Sequence, residues 1–204
     1  MTSKDTSMAQ RGVTPSQTAG PFFHYCLTPK TYGYAEIVTN DLLTEDAAGE
    51  RIRIEGRVFD GDGQLVTDAM IEIWQADGHG RYAHPADGRS LPNTRFKGFG
   101  RCECDAEGRY RFTTVKPGPV PGPNGRPQAP HVNVGVFARG LLNRLFTRIY
   151  FEDEGGNADD AILALAPEDA RGTLIAKRTG QGGEATYTFD IHLQGRNETV
   201  FFEA

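Results

Sequence analysis

The sequence has little of several features that would assign a protein to a class at once. It carries only 3 cysteines in 204 residues, and Cys102 and Cys104 stand two apart, too close for an ordinary disulfide. Reduced thiols, and hence a cytoplasmic protein, are the interpretation that this favours. No apolar run approaches the roughly 20 residues that span a bilayer. The polar N-terminus also lacks the hydrophobic region of a signal peptide.

An excess of positive charge is also absent. The chain has 27 acidic and 22 basic residues, a formal net charge of -5, and no basic stripe, which argues against nucleic acid as a partner. A Gly-rich phosphate loop, a Gly-x-Ser-x-Gly elbow and a Cys-x-x-Cys pair are missing as well. What remains is an acidic chain of the length of one domain with an arm.

The composition divides the chain into three parts. Residues 1–13 are polar, and we expect them to be disordered. Residues 14–50 are too rich in proline and glycine for regular structure, yet they carry five aromatic side chains at Phe22, Phe23, Tyr25, Tyr32 and Tyr34. We expect this N-terminal arm to pack on a partner chain or on its own domain.

From residue 51 to the end, the pattern is that of β-structure. Short alternating segments with turns between them predict an all-β fold, an antiparallel β-sandwich with one or two short helices. Asn157 is the expected N-cap of a helix that ends near Pro167. Turns are expected at 60–63 and 105–108, the second one between the strands of a hairpin. The expected strands cover 52–59, 70–75, 101–104, 110–115, 131–137, 145–151, 174–178, 186–193 and 199–202.

The most informative triplet is His131-Val132-Asn133, which opens a predicted strand. Side chains at i and i+2 of a strand share a face, so a second histidine at position 133 would place two imidazoles beside one metal ion. Asn133 is a poor ligand for a transition metal. With the phenol of Tyr82 upstream, the pattern indicates part of a metal site, either in a catalyst or in a non-catalytic relative of one.

Several segments together resemble the intradiol ring-cleavage dioxygenases, from about Thr14 to the C-terminus. The opening and closing segments are most similar to those of a subunit that works beside an iron-bearing partner. The segments are Thr14–Pro21, Trp74–Asp77, Gly80–Tyr82, Gly98–Arg101, Thr114–Pro119, Ala129–Asn133, Thr173–Arg178 and Glu198–Phe202.

The resemblance implies a mononuclear Fe³⁺ site of two tyrosines and two histidines, and this chain keeps half of it. The ligand positions fall on Tyr82, Val120, His131 and Asn133, and the arginine that stabilises the activated substrate falls on Gln128. Val120 has no lone pair, and Asn133 offers only a neutral carbonyl. We therefore expect no metal site here, with Tyr82 and His131 kept as packing residues of a vestigial pocket.

A different ligand set remains an alternative for this chain. Tyr110 or His84 could be recruited beside Tyr82 and His131, although a metal site needs directed ligands and a supporting shell, not only suitable residue types nearby.

The resemblance further implies a division of labour. A beta subunit of the same fold would carry the Fe³⁺ in a hetero-oligomer, and this chain would help wall its pocket through Thr18, Gly20, Pro21, Phe22 and Arg139. The implied reaction is the cleavage of 3,4-dihydroxybenzoate by O₂ between its hydroxyl-bearing carbons, which gives 3-carboxy-cis,cis-muconate.

Arg139 has two interpretations at this point, since a guanidinium suits a substrate carboxylate and also an ion pair at the rim of a partner. Two other functions stay open for the whole chain. One is a homo-oligomeric intradiol dioxygenase with altered ligands, and the other is a non-enzymatic β-sandwich binding module.

Overall fold

The computed structural model describes residues 25–90, 93–179 and 185–203. Most of the expected strands are confirmed, and short 3₁₀ turns lie at Pro29–Tyr32, Pro123–Gly125, Gly155–Asp159, Leu163–Leu165 and Arg171–Leu174. The strands are β1 (Arg51–Phe59), β2 (Met70–Gln75), β3 (Phe99–Glu103), β4 (Arg109–Val115), β5 (Val120–Pro121), β6 (Pro127–Gln128), β7 (His131–Phe137), β8 (Leu145–Phe151), β9 (Ile175–Thr179), β10 (Ala185–Thr188) and β11 (Ile191–His192).

Two layers of strands make a sandwich, as the sequence predicts. One layer has the order β4-β1-β10-β9, and the other has the order β3-β2-β7-β8-β9, so β9 belongs to both. Most neighbours run antiparallel, but β1 pairs in parallel with β10 and β11, and β8 pairs in parallel with β9. The ribbon of β5 and β6 lies outside these layers.

The core fills the space between the layers. Ile52 and Ile54 of β1 and Phe112 of β4 belong to the same buried cluster as Ile71 of β2 and Ile149 of β8. Along β7 the three valines are buried while the residues between them face away. Each large apolar side chain in such a core contributes about 1.5–3 kcal/mol by its removal from water.

A buried amide ties the two layers together. The Gln75 side chain donates from Nε2 to the Val115 carbonyl at 2.7 Å and accepts from the Thr114 hydroxyl at 3.0 Å. Because an unpaired buried amide is costly, both of its ends have partners. These hydrogen bonds therefore fix the position at which the Trp74–Asp77 segment leaves the sheet.

The prediction of a hairpin around residues 105–108 is wrong, because the two strands that flank the turn do not pair with each other. The turn itself forms, with the Asp105 amide donating to the Arg109 carbonyl at 2.9 Å. However, β3 pairs with β2 and β4 pairs with β1, so the turn crosses from one layer to the other.

Two other expected strands are shorter than predicted. The 186–193 segment divides into β10 and β11, because the Phe189 amide turns to the Glu55 carbonyl and the Asp190 carboxylate accepts from the Arg57 amide. The 199–202 segment contributes a single bridge, between Phe146 and Phe202.

The helix expected from Asn157 is two separate 3₁₀ turns instead. The Asn157 side chain donates to the Phe151 carbonyl at 2.7 Å and does not cap a helix. The Asp160 carboxylate accepts from the amides of Ile162 and Leu163 at 2.9 and 2.8 Å. A side chain that captures these amides competes with a continuous helix.

The described part of the N-terminal arm contacts the sandwich through Leu27, whose carbonyl accepts from Arg101 of β3, and through residues near its C-terminal end. Leu42 lies in the core, and its neighbour Asp41 bridges to Thr113 of β4. Tyr34 and Ile37 are 68% and 74% exposed. Residues 1–24, which include the stretch expected to be disordered, lie outside the described part of the chain.

All three cysteines are free, and burial raises the pKa of the Cys104 thiol to about 12. Within the described residues, none of the helices has the length and apolar character needed to cross a membrane.

Candidate functional site

The alternation along β7 places the candidate site on the outer face of its sheet. His131 and Asn133 share that face, opposite the core-facing valines. In the strand register, Asn133 lies between Trp74 of β2 and Arg148 of β8, and His131 lies beside Tyr150 of β8. The sequence predicted the shared face, but Arg148 was not among the predicted site residues.

A tight turn after β2 presents Tyr82 to this face. The Asp77 carboxylate accepts from the Arg81 amide at 3.0 Å and pairs with the Arg81 guanidinium at 2.7 Å. Gly80 has a φ of 72°, and a Cβ there would lie 1.9 Å from the Pro119 carbonyl oxygen, so only glycine fits. The Tyr82 ring then packs on Trp74, with 4.7 Å between ring centroids.

Asn133 is engaged as a hydrogen-bond donor. Its Nδ2 donates to the Tyr82 hydroxyl at 3.3 Å and to the Trp74 carbonyl at 3.2 Å. Burial raises the pKa of the Tyr82 phenol above its usual value, against the lowering effects of the Asn133 hydrogen bond and of the Arg148 charge. Burial thus keeps Tyr82 a neutral phenol, and the hydrogen bond from Asn133 fixes the position of its hydroxyl.

His131 is buried and neutral. Its Nδ1 lies 2.8 Å from the Ala129 carbonyl oxygen, which fixes Nδ1 as the protonated nitrogen. Burial lowers the pKa of the imidazole to about 4, with a further contribution from the Arg148 charge. The ring packs beside Tyr150 at a centroid separation of 5.7 Å.

The two other altered positions are neighbours in a small ribbon. Val120 of β5 lies directly across from Gln128 of β6, and Val120 is buried. The Gln128 side chain donates from Nε2 to the Pro121 carbonyl at 3.0 Å, and its Oε1 accepts from Arg148 at 2.7 Å. An apolar side chain and a neutral amide therefore occupy the places where the family resemblance puts a ligand and an arginine.

Asp160 is a second residue beside the candidate site that sequence reasoning missed. Its buried carboxylate accepts from the Ala129 amide at 2.7 Å and from the Tyr150 hydroxyl at 3.2 Å, besides the two loop amides. It thereby joins the loop after β8 to the strand end that carries His131. In the sequence Asp160 looked like a first-turn helix residue, and only the three-dimensional contacts reveal its role.

The residues present do not fit a ferric iron site. Tyr82 and His131 are in place, but Val120 donates nothing and the amide of Asn133 is turned to the phenol as a donor. Among the residues that the structure describes, no three histidine, cysteine, aspartate or glutamate side chains come together in a way that could hold a metal ion.

The alternative ligands do not complete the set. Tyr110 is buried in the core, where its hydroxyl donates to the Phe189 carbonyl at 2.5 Å. His84 lies at the edge of Trp74, 6.1 Å between ring centroids, but its Nδ1 accepts from the Ala86 amide.

Arg139 lies away from these residues, just after β7. Its side chain is 81% exposed, and its Nε lies 2.9 Å from the Asp68 carboxylate of the same chain. The other predicted wall residues, Thr18, Gly20, Pro21 and Phe22, lie outside the described residues.

Comparison with known proteins decides the family. A profile of the dioxygenase family matches residues 19–195. The protocatechuate 3,4-dioxygenase alpha chain of Burkholderia cepacia is 45% identical over 93% of this chain and 96% of its own length. The chain belongs to the intradiol ring-cleavage dioxygenase family. The Pseudomonas putida alpha chain is 44% identical with the same coverage, and the B. cepacia beta chain is 40% identical over 80% of this chain and 73% of its own length.

Solved structures agree on the fold. The dioxygenase domain of a carbohydrate-binding fusion protein from Streptomyces sp. SirexAA-E has a TM-score of 0.59 at 25% identity, covering 91% of this chain and all of that domain. Catechol 1,2-dioxygenase from Acinetobacter sp. ADP1 has a TM-score of 0.60 at 22% identity, covering 74% of this chain and 55% of its own.

The buried imidazole predicts a pH dependence of stability. In the unfolded chain His131 takes up a proton below its ordinary pKa of 6.5, whereas in the folded protein it does so only near 4. The unfolded state therefore binds more protons between these values, and the free energy of unfolding falls as the pH is lowered through that window. From pH 7 to pH 5 this group should account for a loss of about 2 kcal/mol.

Urea unfolding of the wild type and of His131→Gln at both pH values measures this contribution. The variant should lose about 2 kcal/mol less than the wild type over the interval. His79→Gln, at an exposed histidine, is the matched control and should follow the wild type. Equal losses in His131→Gln and the wild type would show that His131 does not titrate as described.

Proposed function

We propose that this chain is the alpha subunit of a protocatechuate 3,4-dioxygenase, which cleaves 3,4-dihydroxybenzoate with O₂ to 3-carboxy-cis,cis-muconate. In this proposal the iron is held by a beta subunit of the same fold, and this chain helps form the wall of that subunit's pocket. The supporting observation is a pocket that keeps Tyr82 and His131 but has Val120 and Asn133 at the remaining ligand positions. Similarity to alpha chains over nearly the whole length supports the same assignment.

Exposed apolar side chains support association with a partner. Trp74 and Phe99 are cross-strand neighbours on the outer face and are 41% and 38% exposed. In the arm, Tyr25, Tyr34 and Ile37 are more exposed still. Apolar groups of this size on a soluble protein favour a protein interface. In the proposal, the beta subunit covers them.

The contribution of this chain to the chemistry is then positional. Its pocket has no complete set of metal ligands, so no bond of the substrate is broken there. Arg139 provides an exposed guanidinium next to the end of β7, and a guanidinium pairs well with a planar carboxylate. We assign to it the orientation of the ring carboxylate of 3,4-dihydroxybenzoate in the neighbouring pocket.

Reconstitution tests the proposed function. The chain is expressed alone and together with a family member that keeps two tyrosines and two histidines at the ligand positions. The chain alone should carry far less than one iron per chain and consume no O₂ with 3,4-dihydroxybenzoate. The mixture should form a complex of equal stoichiometry that consumes one O₂ per substrate and yields the ring-opened tricarboxylate, measured by oxygen electrode and mass spectrometry.

Two other outcomes would replace the proposal. Stoichiometric iron and turnover in the chain alone would favour a homo-oligomeric dioxygenase. A stable complex without turnover, or the absence of any complex, would favour the binding module.

Arg139→Ala tests the assigned wall residue in the reconstituted complex. Loss of a charge-assisted contact should lower kcat/KM for 3,4-dihydroxybenzoate, by an amount that corresponds to about 2–3 kcal/mol of activation free energy. Plain catechol has no carboxylate, so its kcat/KM should change much less. Steady-state kinetics on both substrates, with iron content and particle size from the same sample, give the comparison.

Asp68→Asn is the matched control, because it removes the charge that pairs with Arg139 and leaves the guanidinium in place. It should retain kcat/KM for both substrates. Equal losses on the two substrates in Arg139→Ala would assign a structural role, and dissociation of the complex would assign an ion pair at the subunit rim.

A further inference from the structure

A positive charge lies in the candidate pocket. Arg148 is on β8 directly across from Asn133 and on the same outer face. It is half-buried, and the neighbouring positions of its strand, Thr147 and Ile149, are buried. A guanidinium in such a place needs a specific set of partners, because desolvation of a charge is unfavourable.

The partners of Arg148 are neutral. Its Nη1 donates to Gln128 Oε1 at 2.7 Å and lies 3.4 Å from the Tyr150 hydroxyl, which in turn donates to Asp160 at 3.2 Å. No carboxylate of the described residues forms an ion pair with it, although a carboxylate is the usual partner of a buried arginine. Its charge is therefore balanced only at second hand, by the Asp160 carboxylate behind the Tyr150 hydroxyl.

The contacts of Arg148 connect it to both side chains that remain from a metal site. It lies across from Asn133, whose amide donates to the Tyr82 hydroxyl at 3.3 Å, and its Nη1 lies 3.4 Å from the hydroxyl of Tyr150, whose ring packs beside His131. The phenol, the imidazole and the guanidinium thus lie on one outer face of the sheet, joined through Asn133 and Tyr150.

We propose that Arg148 is the resident cation of this pocket, with its guanidinium in the place of a metal ion, so that a metal is excluded even when suitable ligands surround it. Two like charges at short distance repel each other, and more strongly where they are partly removed from water. The absence of ligands at Val120 and Asn133 and the presence of Arg148 are then two separate barriers to metal binding. The inference concerns this chain alone and does not depend on the partner.

Gln128 and Arg148 form a matched pair in this proposal. The Gln128 Oε1 can accept from the guanidinium, whereas an arginine at position 128 would place a second cation against the first. The neutral side chain at position 128 therefore accommodates the positive charge at position 148.

Restoring the ligands separates the two barriers. The full chain carrying Val120→Tyr and Asn133→His is compared with the same variant to which Arg148→Met or Arg148→Lys is added. Each is loaded with Fe²⁺ without oxygen, oxidised in air and desalted. Iron per chain and the visible phenolate-to-Fe³⁺ absorption are then measured across a range of iron concentrations.

The Met variant should bind iron at least about tenfold more tightly than the Lys variant, which keeps the charge. The variant that retains Arg148 should behave as the Lys variant does. Equal iron affinity of the Met and Lys variants, or stoichiometric uptake with Arg148 present, would overturn the proposal.

A second measurement needs no metal and covers the case of a ligand variant that fails to fold. Gln128→Arg in the otherwise native chain should lower the thermal midpoint by about 3–6 °C through contact between two cations. In the Arg148→Met background the same change should shift the midpoint by no more than about 1 °C. An equal drop in both backgrounds would mean that the guanidinium does not lie where we place it.

Discussion

The alternation along β7 is the constraint on which both the core and the pocket depend. Its valines are buried between the layers, so His131 and Asn133 have to lie on the other face. Pairing with β2 and β8 on either side then fixes Trp74 and Arg148 as neighbours of Asn133. A shift of one residue would exchange the two faces and remove the pocket together with the core.

Hydrogen bonds and packing hold the side chains of the pocket in place. The turn at Asp77 presents Tyr82, and Asp160 anchors the strand end that carries His131. The amide of Asn133 lies against the Tyr82 hydroxyl, and Arg148 lies across from Asn133 on the next strand. These contacts stabilise the fold and give the phenol and the imidazole a role that requires no metal.

Much of the architecture follows from the sequence, because valines alternate strictly along 131–137 and 145–151 is a short run rich in aromatic and β-branched residues. Local patterns failed where distant partners decide: β3 and β4 flank one turn but pair with different strands, and Asp160 captures amides that a helix would use. That Val120 and Asn133 are poor ligands for a metal ion was visible in the sequence. The sequence did not show that Arg148 belongs to the site, because only the pairing of β7 with β8 places it beside Asn133. The charge between Thr147 and Ile149 indicated only that position 148 faces away from the core.

The location of iron in the assembled protein tests the central claim most directly. Crystals of the complex with an iron-bearing partner, measured at the iron absorption edge, give an anomalous difference map that needs no assumption about ligands. The account predicts one anomalous peak per pair of subunits, in the partner, and none beside Tyr82 and His131 of this chain. A peak of comparable height between Tyr82 and His131 would contradict it.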